Sequence, residues 1–417
     1  MKMGRTFKRE NCRLCLNRNL SMVIALGATP IGDQYLPEKS LHTTQKCYPL
    51  ELYLCNDCGL LQLLNIIDPE EIYTKYIYLS SDSKGLVEHF GRYSSEVINF
   101  INPPKNALVV DIGSNDGSFL NFFKKSGLNI LGIDPAEDIA KSATENGIET
   151  IHSFFLEDLA EKIKKERGKA YLITINNALA NIDDLTSLLS GVKNLLADDG
   201  VFIFETGYVL DLIQKCIFDN IYHEHISYFA VKPLETFFRN NGMELIDVKR
   251  IPTKGGSIRC IVQFAHGKRK ASANVREMIE KETAFGLFSI AAFNSFKEKL
   301  ESLKTSLNAM LADLKKRNFK IAGYGASVGV TTMLYYFGIR DYMDFLADDN
   351  TRRQNLYSPG LHMPVKSPDD IYSKKIDYVL ILAWQYAEII ISRHKEFLKK
   401  GGHFILPLPE LKIVRFK

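Results

Sequence analysis

From residue 107 onward, apolar and polar positions along the chain follow two alternating periods. Short, almost wholly apolar runs ("ALVVDIG", "NILGIDP", "AYLITINN" and "GVFIFET") predict buried strands. Between them, "GSFLNFFKKSG" and "AEDIAKSATENG" space their apolar residues as helices do and end at glycine. That order predicts a doubly wound parallel sheet. "PLETFFRNNG" adds a glycine-ended helix, and "MELIDVKRI" and "GSIRCIVQF" two further strands. Ahead of the sheet, residues 87–101 form an amphipathic helical pattern that "NPPKN" must stop. Over residues 272–318 the period is again helical, with Phe293, Phe296, Leu300, Leu303, Leu307, Leu311 and Leu314 three, four or seven apart. A helix docked along domain surfaces explains this stretch better than a partner-seeking coiled coil. From Lys320 a second alternating unit begins ("KIAGYGASVGVTTMLYYFG", "MDFLADDN", "DYVLILAW", "GHFILPLPE") and predicts a second Rossmann-like domain. The first 70 residues show little helical period. The chain thus divides into 1–70, 71–270, a helical connector over 271–319, and 320–417.

Composition changes this picture little. The 417 residues are 46% hydrophobic and 24% charged, the balance of a globular protein, and the length favours two or three domains. A net charge of +4 is too mild to argue for nucleic acid, and lysine pairs such as Lys124-Lys125 and Lys164-Lys165 read as solvated helix faces. The opening "MKMGRTFKRENCRLC" lacks the apolar core of a signal peptide. The most apolar window, "IDYVLILAWQYAEIII", is interrupted by Gln385 and Glu388, so no membrane span is expected and the compartment reads as cytoplasmic. There the seven cysteines stay reduced, and paired ones suggest metal rather than disulfide.

Five of the seven cysteines fall in the first 70 residues. Cys12-x-x-Cys15 and Cys55-x-x-Cys58, 39 residues apart, are two knuckles whose four thiolates suit tetrahedral zinc. Four thiolates leave the metal no open position, so its expected role is to staple a small module that otherwise lacks a core. Cys47 is a spare. A second signal is "LVVDIGSNDGSFLNFF": an apolar strand ending at Asp111, a loop with glycines at 113 and 117, then a helix. Asp134, 23 residues after Asp111, ends the next strand, where a carboxylate can hold both ribose hydroxyls. A nicotinamide cofactor would want the tight three-glycine fingerprint, which is absent, whereas the short acidic loop suits S-adenosylmethionine. The third signal is "IYHEHISYF", residues 221–229, just beyond the strand ending near Glu205. It could be a metal site if His223 and His225 converged, a packed aromatic loop, or an acid–base centre. The last is favoured, because histidine titrates near neutrality with Tyr222 and Glu224 at hand.

The zinc knuckles, "VVDIGSNDG", "YHEHISYF" and "GYGA", in that order, resemble the sugar C-methyltransferases that act on nucleotide-linked 4-keto-deoxyhexoses. "YTKYIYLSS", "GGSIRC", "SPGLHMPVKSP" and "GGHFILPLPEL" extend the likeness over nearly the whole chain. It implies an α/β protein: a zinc-binding module, a central class I methyltransferase domain using S-adenosylmethionine, and a C-terminal Rossmann-like domain that helps hold the nucleotide sugar. By that resemblance Cys12, Cys15, Cys55 and Cys58 hold zinc, and Asp111, Gly113, Asn115 and Asp134 line the donor site with Asn177 near the adenosine. His225 matches the general base, Tyr222 and Glu224 its polar supports, and Tyr76 a substrate-facing tyrosine. Lys254, Gly325 and Ser327 fall where substrate contacts are expected. The implied reaction is methylation at C3 of a ketosugar, dTDP-linked, by a monomer or weak dimer without nucleic-acid or membrane partners. Three positions depart from the family's pattern: Asn181 and Lys254 stand where it has histidine, and "GASVGVTT" lacks its lysine.

Overall fold

The computed structural model describes residues 6–73 and 78–416. Its largest sheet has seven strands in the spatial order Met243–Ile251, Ser257–Phe264, Leu196–Gly207, Ala170–Asn176, Leu108–Ile112, Asn129–Asp134 and Thr150–His152. The last five run parallel, and the first two are antiparallel additions at one edge. The expected parallel sheet is therefore a mixed one. All five residues of Leu108–Ile112 are buried, as a strand covered on both faces requires.

The helix ahead of this sheet, Lys84–Ile101, begins where Ser83 accepts the amide of Leu86. It ends at Asn102, left-handed at φ 43°, before Pro103. Its buried face (Phe90, Tyr93, Val97, Ile101) packs on Phe119 and Phe123, each side chain contributing about 1.5–3 kcal/mol by leaving water.

The N-terminal residues form strands that their sequence did not announce. Leu20–Thr29, Tyr48–Cys55 and Leu61–Leu63 make an antiparallel sheet whose fourth strand, Ser227–Tyr228, comes from the histidine-rich stretch. Leu50, Leu52, Leu54, Leu61 and Leu63 are buried and join the same apolar core as Val110 and Leu346. The module's apolar face is thus buried in a core it shares with the rest of the chain.

The helical stretch over 272–318 is two helices, Ala273–Ala284 and Ile290–Lys316. Gly286, at φ +75°, breaks the run that its apolar spacing made look continuous. Phe293, Phe296, Leu300, Leu307, Leu311 and Leu314 of the longer helix are buried, and Leu303 is half-buried. The C-terminal six-stranded sheet is built on Ile321–Tyr324, Leu346–Ala347, Tyr378–Ile381 and His403–Leu406. No described helix is long and apolar enough to cross a membrane.

Candidate active site

The four knuckle sulfurs lie within 4.8 Å of one another, with Cys12 Sγ 3.5 Å from Cys58 Sγ and Cys15 Sγ 3.5 Å from Cys55 Sγ. Metal–sulfur bonds of about 2.3 Å in a tetrahedron place thiolates at about this spacing, so the set fits zinc and fills its shell. Cys47 is exposed and outside the cluster. Between two ligands, the fully buried Arg13 reaches away from the metal. Its guanidinium donates to the carbonyls of Leu63 (2.6 Å) and Ile226 (3.1 Å) and to Asp183 (2.9 Å). The zinc knuckle is thereby tied to the residue following His225.

At the carboxyl edge of the large sheet, Gly113 turns at φ +72° and its amide bonds the carbonyl of Ile133. Asp134 accepts the amides of Asn115 (2.8 Å) and Ala136 (2.9 Å), one on each oxygen, leaving each a lone pair for a ribose hydroxyl. Asp111 accepts the hydroxyl of Thr174 at 2.6 Å, and burial pushes its carboxyl up to about 7. Asn177, left-handed at φ 58°, hangs its amide on the carbonyl of Glu205. Beside it the amide oxygen of Asn176 is buried without a partner among the described residues. These groups fit S-adenosylmethionine: carboxylates for hydroxyls and ammonium, an open acceptor, and glycine where the backbone must be approached. The side chain of Asn115 is spent otherwise, accepting from Ser80 and donating to Tyr78, so that residues 78–81 lie across the loop.

The histidine-rich stretch folds as a turn, with the amide of His225 bonded to the carbonyl of Tyr222. His223 and His225 therefore diverge. His223 is buried against the carbonyl of Tyr48, and burial pushes its imidazole down to about 4. Among the described residues it joins no metal-binding group, which removes the metal reading. His225 Nδ1 lies 3.2 Å from the carbonyl of Asn220, an acceptor only, so the proton belongs on Nδ1 and the lone pair on Nε2. Nε2 accepts the hydroxyl of Tyr222 at 2.9 Å, and the two rings are 4.1 Å apart. Burial, then the charge of Lys254, push the imidazole down to about 3, so it is neutral at physiological pH.

His225, Lys254, Asn177, Thr206 and Tyr228 line one cavity, which brings the candidate base to the donor edge. Glu224 does not orient His225 by a direct bond; Asn220 takes that position. Glu224 is buried with one carboxylate oxygen unpartnered among the described residues, and burial pushes it up to about 8. Asn181 likewise has a buried amide oxygen without a partner among the described residues. Tyr76 lies outside the described residues. Gly325 and Ser327 sit apart from this cavity, on the glycine loop of the C-terminal sheet. Gly325 has no room for a side chain beside Ala383, and Ser327 is exposed at the start of helix Val328–Phe337. That loop's neighbourhood closes on the cavity's wall: Trp384 donates to Asp219 at 3.0 Å, and Thr332 to the carbonyl of Ile221 at 2.8 Å. Sequence reasoning missed Asn220, Arg13 and Asp219, whose roles come from backbone and long-range bonds that no local pattern encodes. It also missed Asp348, though an acidic strand end in "MDFLADDN", after a glycine loop, repeats the signal that marked Asp134.

An acidic-ended strand pair around a glycine loop, a neutral imidazole at that edge and a four-thiolate cluster fit an S-adenosylmethionine-dependent methyltransferase. Family models agree along the chain: residues 12–73 match "Putative zinc binding domain", 87–248 "Methyltransferase domain" and 252–409 "C-methyltransferase C-terminal domain". C-methyltransferase NovU of Streptomyces niveus is 31% identical over 406 residues, covering 97% of each chain. The chain belongs to the C-methyltransferase family. Solved structures are more distant. The PH0226 protein of Pyrococcus horikoshii OT3 is 14% identical over 46% of this chain and 98% of its own, at a TM-score of 0.37. Magnesium protoporphyrin IX methyltransferase (ChlM) of Synechocystis PCC 6803 is 13% identical over 45% of this chain and 84% of its own, at 0.33. Neither likeness is close enough to bear on function.

Proposed function

We propose that this enzyme methylates C3 of a nucleotide-linked 4-keto-deoxyhexose, dTDP-linked, through an enolate that His225 generates. The observation that supports the reading is the neutral Nε2 lone pair of His225 in a cavity shared with Asn177 at the donor edge. Forming a carbon–carbon bond needs a carbanion equivalent, and a ketone at C4 makes the C3 proton removable. Asn220 fixes the tautomer, so the lone pair rather than an N–H meets that proton. Tyr222 hydrogen-bonds that lone pair at 2.9 Å and must yield it to the C3 proton. S-adenosylmethionine supplies an electrophilic methyl group when bound. The chain's own part is to align C3 with it and to keep water away. Incubation with S-adenosylmethionine and dTDP-4-keto-6-deoxyglucose should give a product one methylene heavier, with a C-methyl signal at C3. Unchanged sugar, or a methyl group on oxygen, would sink the proposal.

A further inference from the structure

We propose that Lys254 is the electrophilic partner of His225: its ammonium stands beside the ketone oxygen and holds the negative charge that develops there. This rests on the ketosugar reading above and names the charge-stabilising group which that reading leaves open.

The cations near the edge of the large sheet are otherwise committed. Lys215 and Arg250 pair with the buried carboxylate of Asp211, and Arg259 pairs with Glu205. Lys254 alone of these has no ion pair among the described residues, and it lines the cavity that holds His225. Its backbone is held in the left-handed region at φ 51°, ψ 36°, which a lysine adopts only where its surroundings impose it. Asn220 Nδ2 donates to the carbonyl of Lys254 at 3.3 Å, and Lys215 Nζ to that of Gly255 at 2.8 Å. The next glycine, Gly256, is pressed so close to Asp211 that no side chain fits. Asn220 therefore touches both partners, orienting the His225 ring through its backbone carbonyl and holding the backbone of Lys254 through its side chain.

The charges explain why the base needs a partner. An imidazole held down to about 3 by burial and by Lys254 is a weak base. It can take a proton from carbon only if the resulting anion is stabilised where it forms, and a cation lining the same cavity does that. His225 Nε2 takes the C3 proton, the C3–H pair becomes the C3–C4 double bond, and the carbonyl pair moves onto oxygen beside Lys254. When C3 takes the methyl group, the carbonyl reforms, S-adenosylhomocysteine leaves, and the proton passes from His225 to solvent. Two titratable groups act on Lys254, His225 and the carboxylate of Glu205. Lys254 is itself exposed to solvent, so only partial desolvation beside the cavity lowers its ammonium, while Glu205 opposes that shift.

The test uses the zinc-loaded protein with Lys254→Met and Lys254→Arg. C3 hydrogen exchange of dTDP-4-keto-6-deoxyglucose is read in heavy water with S-adenosylhomocysteine bound, and methylation with S-adenosylmethionine. Lys254→Met should lose both activities by about 10²–10³-fold in kcat, as removal of an oxyanion partner does, while still binding dTDP and S-adenosylhomocysteine. Wild-type kcat should fall as alkaline pH deprotonates Lys254, whose ammonium is lowered from its ordinary range, and Lys254→Arg should keep part of the activity and move that limb upward. Full kcat in Lys254→Met, a loss confined to dTDP affinity, or a limb that Lys254→Arg leaves in place would overturn the assignment. Wild-type protein inert towards the ketosugar overturns the substrate reading itself, whereas active wild type with equally active Lys254→Met overturns the lysine alone.

Discussion

In the large sheet the amide of Gly113 bonds the carbonyl of Ile133 at 2.7 Å; in the C-terminal sheet the amide of Gly325 bonds that of Ala347 at the same distance. The acidic residue ending the next strand then clamps two amides in each unit. Asp134 holds Asn115 and Ala136 at 2.8 and 2.9 Å, and Asp348 holds Ala326 and Asn350 at 2.6 and 2.8 Å. What lies beyond the clamp differs. Past the first loop the sheet edge opens on the cavity with Asn177, His225 and Lys254. Past the second, the helix Val328–Phe337 is fastened to the rest of the chain, Thr331 to the carbonyl of Gly32 and Thr332 to that of Ile221. Arg353 pairs with Asp33 at 2.7 Å on the same side. The shared clamp is a way of closing a strand–loop–helix turn, and chemistry depends on what the surrounding chain leaves open.

The hardest way to break the contrast is to remove the zinc module, because its sheet takes its fourth strand, Ser227–Tyr228, from beside His225 in the first unit. Structural zinc contributes on the order of 10–16 kcal/mol in isolated zinc-finger peptides. Cys55→Ser should lose the metal, lower the melting temperature and abolish methylation, since Ser227 and Tyr228 pair with Gln62 and Leu61 beside His225. Donor binding should survive, because no donor residue lies in that sheet. A metal-free variant with full turnover would mean that the module is an ornament.

Next in size is the base. His225→Asn should reduce methylation and C3 exchange by roughly 10²–10⁴-fold while donor binding holds. His223→Asn should cost stability and spare the chemistry, because that ring is buried against Tyr48. If the two variants exchange these roles, the first unit's edge is not where the reaction occurs.

A smaller effect separates the two clamps directly. Asp134→Ala removes charge-assisted bonds of roughly 1.5–3 kcal/mol each and should weaken S-adenosylmethionine by ten- to a hundredfold or more. Asp348→Ala should leave that affinity unchanged. Calorimetry showing equal losses would dissolve the distinction between the units.

Much of this was legible from local pattern. The buried strands, the glycine loop, Asp134 and the four cysteines all advertise themselves within a few residues, because strand burial, tight turns and tetrahedral coordination constrain short stretches. Illegible were the features made by distant pairing. The strand Ser227–Tyr228 is two residues long and borrows its sheet from residues 48–63, so nothing in "IYHEHISYF" disclosed that it would be half turn, half strand. Neither could Glu224, a carboxylate between two histidines, reveal that Asn220 and not itself would hold His225. The break at Gly286 was visible as a glycine but was outweighed by the apolar spacing on either side.

Glu224 gives the finest test, because it reports on the seam between the units. Its carboxyl is pushed up to about 8 from an ordinary 4.5, first by burial and then by the charge of Asp33, which Arg353 of the second unit holds. The folded protein thus keeps a proton that the unfolded chain releases above 4.5. Stability from this group is full below 4.5 and is lost as pH rises through 8. Glutamine fills the same space without a proton to lose. The stability advantage of Glu224→Gln over wild type should therefore grow between pH 4.5 and 8 and level off above. Urea unfolding at pH 5, 6.5, 8 and 9 measures it. An advantage that stays constant from pH 5 to 9 would mean that Glu224 is ionised in the fold and insensitive to the second unit.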